Sequence, residues 1–232
     1  MGFYLYIDRI ITMKTFRIHN TADEIQVGTI YCLGRNYAEH AKEMKAEAPS
    51  SPIIFLKPSS SILNNEEDII RPSISQSLHH EVEFIIAIGK SGKNISEQHA
   101  KDHILGYGVG LDMTLRDVQE DAKKKGLPWS IAKGFHTSAP ISDIIPASKI
   151  LDTNNLEIRC KVNGSIRQQT KISKMIFPIE KIISYISSLF AIERGDLIFT
   201  GTPEGVSEVK NGDSIVAELV DWIQISHRVK TA

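Results

Sequence analysis

Cysteine is almost missing from this chain: Cys32 and Cys160 are the only two in 232 residues, in unrelated contexts and without metal-type spacing. That excludes a disulfide framework or a thiolate metal site and points to a reducing, cytoplasmic compartment. An excess of one charge is missing too. The 27 basic and 28 acidic side chains leave a formal net charge of −1, and no segment is dominated by Lys or Arg. Neither nucleic acid nor an anionic membrane surface is therefore an expected partner. The strongest basic cluster, Lys123-Lys124-Lys125, closes a helical pattern before Gly126, where cations complement the helix dipole. No apolar run approaches the roughly 20 residues that span a bilayer. Residues 1–20 carry Asp8, few arginines and no small-residue cleavage site, so a signal or transit peptide is not expected, and Met13 offers an alternative start. No Gly-rich loop joins a strand to a helix in the order a doubly wound nucleotide fold requires. Internal repeats, low-complexity tracts and long linkers are absent as well.

What is present is an ordinary globular composition, 41% hydrophobic and 24% charged, long enough for one large domain or two small ones. The first half alternates short elements: strand-like runs at 29–33, 53–56, 81–88 and 107–113, and helical stretches at 36–44, 96–105 and 114–125. Ser96 and Gly106 are the expected start and stop of the second helix, and Thr114 or Asp112 the cap of the third. The second half is richer in strands. Runs at 156–162 and 166–170 flank Asn163-Gly164, a hairpin turn that needs positive φ at both positions. A long helix is predicted over 178–190 from the spacing of Ile179, Ile182, Ile183, Ile186, Leu189 and Phe190, with Pro178 suited to its first turn. Strands at 196–199, 214–219 and 222–229 complete a strand-rich α+β chain.

The segment His79-His80-Glu81-Val82-Glu83-Phe84-Ile85-Ile86-Ala87-Ile88 carries the most chemistry. Residues two apart on a strand share a face, which places Glu81 and Glu83 side by side in an apolar run. Two carboxylates there repel each other and lose hydration worth several kcal/mol. Protonation, a cationic partner or a metal would permit it; so would a wet strand end facing solvent. Asp112, at the end of a strand and before a helix, projects into the same kind of cleft or simply caps that helix. Three carboxylates without cysteine make a hard oxygen site suited to Mg²⁺ or Mn²⁺. Of His79 and His80, neighbours on a strand, at most one can join it. His40 and Glu43 lie three apart, on one face of a helix. A carboxylate beside an imidazole makes a general base; an exposed polar helix face with Glu39, Lys42 and Lys45 is the simpler account of the pair from the residues alone.

Several longer motifs carry a resemblance. Gly34-Arg35-Asn36-Tyr37-Ala38-Glu39-His40, Phe55-Leu56-Lys57-Pro58-Ser59, His79-His80-Glu81-Val82-Glu83 and Leu111-Asp112-Met113-Thr114-Leu115-Arg116-Asp117-Val118-Gln119 occur in this order. Lys124-Lys125-Gly126-Leu127-Pro128-Trp129, Met175-Ile176-Phe177 and Thr200-Gly201-Thr202-Pro203-Glu204-Gly205-Val206 follow. With these the chain resembles the fumarylacetoacetate hydrolase family over roughly residues 29–229. The resemblance implies a mixed β-sandwich roll with peripheral helices, a catalytic domain over 29–232, and a segment 1–28 outside the match, packed on it or extending from it.

The resemblance also implies Glu81, Glu83 and Asp112 as ligands of Mg²⁺ or Mn²⁺, and His40 with Glu43 as a water-activating pair on a lid segment. Lys133 is implied as the residue that holds substrate and stabilises developing negative charge, with Arg35, Arg116, Gln119 and Thr202 lining the pocket. Ion pairing would also account for Arg35 and Arg116, and turn shaping for Thr202. His136, close to Lys133, is unexpected and puts substrate preference in question. The implied substrate is a small 2-oxo acid, the implied assembly a homodimer. The expected reaction is hydrolysis of the C3–C4 bond of acylpyruvates, with capacity for oxaloacetate decarboxylation. The alternatives are an isomerase, tautomerase or hydratase on a related 2-oxo acid, and a non-enzymatic metal- or ligand-binding protein.

Overall fold

Every residue of the strand Val82–Ile88 is buried, yet successive side chains enter different cores. Phe84, Ile86 and Ile88 face one cluster; Ile85 and Ala87 face another with Ile30, Cys32, Leu197 and Phe199. A period of two on a sheet covered on both faces explains why the run is apolar without alternation. The computed structural model describes residues 13–44 and 46–232, so the expectation about a leader in residues 1–12 lies outside the described residues.

Val82–Ile88 sits inside a six-stranded sheet in the order Ile145–Pro146, Ile104–Leu111, Val82–Ile88, Leu197–Phe199, Ile30–Gly34, Ile53–Lys57. Pairing is antiparallel except between Leu197–Phe199 and Ile30–Gly34. A second, five-stranded sheet runs Ser165–Lys171, Glu157–Val162, Ser214–Leu219, Ile223–Thr231, Ile69–Arg71. Its strands do alternate: Ile158, Cys160 and Val162 point into the shared core while Glu157, Arg159 and Lys161 point outward. The hairpin joining Glu157–Val162 to Ser165–Lys171 turns at Asn163 and Gly164, with φ of 49° and 78°. The result is the strand-rich α+β fold anticipated.

Helix α1 spans Ala38–Glu43, α2 Arg116–Lys125, α3 Ser130–Lys133 and α4 Ile179–Leu189. Ile179, Ile182, Ile183 and Ile186 of α4 are all buried in the larger core, each worth about 1.5–3 kcal/mol against exposure. Pro178 stands one position earlier than expected, at the cap, and Leu189 is exposed instead of completing the apolar face.

Two local expectations fail for tertiary reasons. Residues 96–105 do not form an α-helix: a 3-10 helix covers Glu97–His103 and a strand begins at Ile104. Gly106 stops nothing. It lies within that strand, where a Cβ would come 2.1 Å from the Ile145 carbonyl oxygen. The helix expected from 114 starts at Arg116, because Thr114 and Leu115 pair with His79 and Leu78. Neither Thr114 nor Asp112 caps it; the Thr114 hydroxyl donates to the Asp112 carbonyl.

Ahead of residue 29, Phe16, Ile18 and Val27 are buried with Ile30 and Cys32 in the second core. Cys32 and Cys160 are both buried and unpaired. Among the described residues, no helix is long and apolar enough to cross a membrane.

Candidate active site

The run from His79 to Ile88 is not one strand but two. Leu78–His80 pairs with Thr114–Leu115 and Ser207–Val209, whereas Val82–Ile88 belongs to the six-stranded sheet. Glu81 occupies the break, and its carbonyl accepts from the Asp112 amide at 2.8 Å. Glu83 is two residues on, opposite Gly110, and Asp112 directly follows Ile104–Leu111. Oxygens of Glu81, Glu83 and Asp112 thereby lie within 4.8 Å of one another, all three residues buried. No histidine joins them: His79 turns to Ser77 and His80 to Gln168 and Ser207.

Cations surround this cage. The Lys133 ammonium donates to Glu81 Oε2 at 2.7 Å and Asp112 Oδ2 at 2.6 Å. Arg116 pairs with Glu81 Oε1 and donates to Gln119 Oε1. Lys57, fully buried, lies 2.8 Å from Asp112 Oδ1 and donates to the carbonyls of Lys133 and Ser138. Its approach to Asp112 is off the hydrogen-bonding direction, so Asp112 Oδ1 has no hydrogen-bond partner. Burial opposes the Glu81 charge, but Lys133, Arg116 and His40 outweigh it and hold the carboxyl below its ordinary range. Glu83 goes the other way: burial, then Asp112 and Glu81, push its carboxyl well up. Burial also works against the Lys133 ammonium, yet Asp112 and Glu81 raise its pKa.

His40 is buried, not on an exposed helix face, and its Nδ1 lies 3.2 Å from Glu43 Oε2. The second oxygen of Glu43 accepts from the Gly205 amide at 3.1 Å, which ties α1 to the segment after Leu197–Phe199. That segment turns at Gly201, φ 95°, whose amide donates to Glu83 Oε2 at 2.7 Å. A side chain there would clash with Asn36, which bonds the Thr200 and Phe177 backbones. One pocket is lined by Arg35, His40, Glu81, Glu83, Arg116, Gln119, Lys133 and Thr202 together with Leu33, Met44, Phe55, Lys123 and Trp129.

The expected residues thus converge, Asp112 and Glu43 meeting them through direct bonds rather than at the pocket wall. His136 does not: it is exposed and turned toward the Ser60 carbonyl, since the chain bends away at Gly134. Lys123 stands in the last turn of α2, as expected, and also lines the pocket, 5.3 Å over the Trp129 ring. Lys57 and Gln168 were missed. Gln168 donates to the Thr202 hydroxyl and accepts from His80 and the Val82 amide. Lys57 had a signal, a lysine directly closing the apolar run at 53–56; Gln168, in a polar strand, had none.

Three buried carboxylates that could hold a metal ion thus stand beside an imidazole–carboxylate pair on a two-sheet scaffold. The family description "Fumarylacetoacetate (FAA) hydrolase C-terminal" matches residues 29–230, and the chain belongs to the fumarylacetoacetate hydrolase family. It is 47% identical over 201 residues to mouse "Oxaloacetate tautomerase FAHD1, mitochondrial", covering 87% of this chain and 91% of that protein. A solved fumarylpyruvate hydrolase from Pseudomonas aeruginosa, in complex with Mn²⁺ and pyruvate, superposes with TM-score 0.92 at 36% identity, covering 95% and 97% of the two chains. A 5-carboxymethyl-2-hydroxymuconate delta-isomerase from Mycobacterium smegmatis gives 0.80 at 34%, covering 90% of this chain and 81% of that one.

Proposed function

We propose that the pocket binds Mg²⁺ or Mn²⁺ with a small 2-oxo acid and moves protons at the carbon beside the keto group, oxaloacetate keto–enol interconversion being its reaction. The carrying observation is that His40, Glu81 and Glu83 line one pocket, with Glu43 bonded to His40 and Asp112 to Lys133 behind its wall. The cage suits such a cation. Its donors are hard oxygens without thiolate or imidazole, Asp112 Oδ1 lacks a hydrogen-bond partner, and Glu83 is pushed toward its neutral form by burial and two carboxylates. A divalent cation held there supplies Lewis-acid stabilisation of an enolate, worth several kcal/mol.

The side chains do the rest. Glu43 Oε2 orients the His40 imidazole through Nδ1, leaving Nε2 to take or return the proton. The Lys133 ammonium stabilises negative charge developing on substrate oxygen. Arg35, Arg116, Gln119 and Thr202 bind and orient the acid, Arg116 doing so while it holds Glu81. The 47% identity to a protein named as an oxaloacetate tautomerase supports this choice of reaction. A second reading, hydrolysis of acylpyruvates to pyruvate, is favoured by the fumarylpyruvate hydrolase neighbour and by a base able to activate water. Loss of CO₂ from oxaloacetate would draw on the same enolate.

The test supplies keto- and enol-enriched oxaloacetate, and separately acetylpyruvate, with Mg²⁺ or with EDTA. Metal-dependent keto–enol relaxation without pyruvate release supports the first reading, and pyruvate from acetylpyruvate the second. Neither would remove the enzymatic reading. His40→Ala is expected to lower the rate by about 10² to 10⁴. The edge strand Ile53–Lys57, with Leu56 exposed beside Leu127, supports a homodimer, to be checked by light scattering.

A further inference from the structure

Gln168 is the one buried residue of the strand Ser165–Lys171, whose other members are exposed or half-buried. Its four hydrogen bonds fall into two pairs. Oε1 accepts from the Val82 amide at 3.0 Å and from His80 Nδ1 at 2.9 Å, the residues on either side of Glu81. Nε2 donates to the Pro203 carbonyl at 2.9 Å and to the Thr202 hydroxyl oxygen at 2.8 Å. A primary amide has two lone pairs and two hydrogens, so its capacity is filled.

Two of these partners leave no choice of direction. A backbone N–H only donates and a backbone carbonyl only accepts, so Val82 and Pro203 fix which end of the amide is oxygen. The reversed amide would set donor against donor at Val82 and acceptor against acceptor at Pro203. Thr202 Oγ1 is therefore an acceptor from Gln168, and its own hydrogen must go elsewhere. Among the described residues no group accepts that hydrogen, although Thr202 is 3% exposed and lines the pocket with Glu83 and Lys133. A buried hydroxyl hydrogen without a partner costs free energy until something accepts it. The pocket is the space that Thr202 borders.

We propose that Gln168 is a positioning residue: by donating to Thr202 it makes the Thr202 hydroxyl an obligate donor toward an oxygen of the bound 2-oxo acid. The inference rests on the 2-oxo acid reading above and adds to it a residue outside the pocket lining. The bond crosses between sheets, from the edge strand of the five-stranded sheet to the turn after Leu197–Phe199 in the six-stranded one. A purely structural Gln168 would need only its Oε1 pair, which holds the residues flanking Glu81.

Gln168→Glu separates the two pairs, because it keeps an acceptor for Val82 and His80 and loses the amide hydrogens. Ionised, it has no hydrogen to give; protonated, its single hydrogen goes to the Pro203 carbonyl. Either way Thr202 meets an acceptor and turns its hydrogen away from the pocket. The effect is read by calorimetry of pyruvate binding to the Mn²⁺-loaded protein, in a double-mutant cycle with Thr202→Val, beside the Mn²⁺ affinity of each variant. Thr202→Val should weaken pyruvate binding about tenfold, the scale of one hydrogen bond to a charged group, and Gln168→Glu by a similar factor. The double variant should lie within about twofold of Thr202→Val, and Mn²⁺ affinity in Gln168→Glu within about twofold of the wild type. Thr202→Ser, which keeps the hydroxyl, should bind pyruvate as the wild type does. Losses that multiply in the double variant overturn the proposal, since the new carboxyl would then act by its own charge. A pyruvate loss matched by an equal Mn²⁺ loss overturns it too, by assigning Gln168 to the support of Glu81. If Gln168→Glu does not fold, Gln168→Met takes its place and is judged on the cycle alone. A Mn²⁺-loaded wild type that binds no pyruvate removes the 2-oxo acid reading itself, and the role of Gln168 with it.

Discussion

The two sheets bury polar groups by opposite rules. At the end of the six-stranded sheet, three carboxylates are buried beside Lys57, Lys133 and Arg116, charge against charge. In the five-stranded sheet the buried polar groups are Gln168 and His227, and the charges of Arg159, Lys161 and Glu218 pair on the outward face. Gln168 serves four groups with one neutral amide. Desolvating an ion costs several kcal/mol, so a fold that needs only rigidity uses neutral hydrogen bonds. Buried charge at one end of the six-stranded sheet is what the proposed cation and 2-oxo acid would meet.

The comparison breaks most visibly at the cage. Asp112→Asn and Glu83→Gln keep shape while removing charge, and each should lower activity by about 10³ or more, the worth of several kcal/mol of lost enolate stabilisation. Mn²⁺ titration of each variant, with activity in excess EDTA as the reference, checks this. Full wild-type activity in EDTA would make the cage a structural ion cluster like any other.

Next in size is Lys57→Met, which strips the buried cation from Asp112 and from the Lys133 and Ser138 carbonyls. Breaking a buried pair from one side costs about 3–5 kcal/mol, read from denaturant midpoints with the slope unchanged. Loss below about 1 kcal/mol, the range of an exposed pair, would mean that Asp112 does not need its counter-ion.

Much of this was legible beforehand, for reasons that also explain the gaps. Ile179, Ile182, Ile183 and Ile186 at helical spacing and the Asn163-Gly164 turn are local signals, and local geometry decided them. Gly106 misled because a helix stop and a close backbone approach both select glycine; only the Ile145 carbonyl, 39 positions away in the chain, separates them. In the cage, the two-residue spacing of Glu81 and Glu83 was informative even though a strand break falls at Glu81. Lys57 and Gln168 stayed hidden because their partners are distant in sequence: Ser138 is 81 residues from Lys57, and His80 is 88 from Gln168. His136 shows the converse error, proximity in sequence taken for proximity in space.

Gln168→Leu sharpens the contrast at moderate cost. It leaves the Val82 amide and His80 without their acceptor and frees the Thr202 hydroxyl. About 1–3 kcal/mol of stability should be lost. Less should follow in metal affinity than for Asp112→Asn, since no carboxylate is touched. A calorimetric Mn²⁺ titration beside urea unfolding separates the two effects; equal damage to metal binding would tie the neutral network directly to the cage.

The smallest effect belongs to His227, the other buried polar group of the five-stranded sheet. Its Nδ1 donates to the Glu67 carbonyl at 2.8 Å, and its Nε2 has no partner among the described residues. Burial lowers its pKa, opposed only in part by the bond to Glu67 and the charges of Glu67 and Asp68. The folded protein therefore binds this proton less readily than the unfolded chain, whose histidines titrate near about 6.5. The contribution is complete above that value and is lost as pH falls through the lowered folded value, so the acid side alone should weaken. His227→Asn retains a donor for Glu67 and removes the titration. The drop in urea midpoint between pH 7.5 and 5.5 should shrink in the variant by the equivalent of about 1 kcal/mol or less, under the worth of one pKa unit. An unchanged drop would mean that His227 accepts its proton without cost, and that the neutral rule of this sheet does not extend to it.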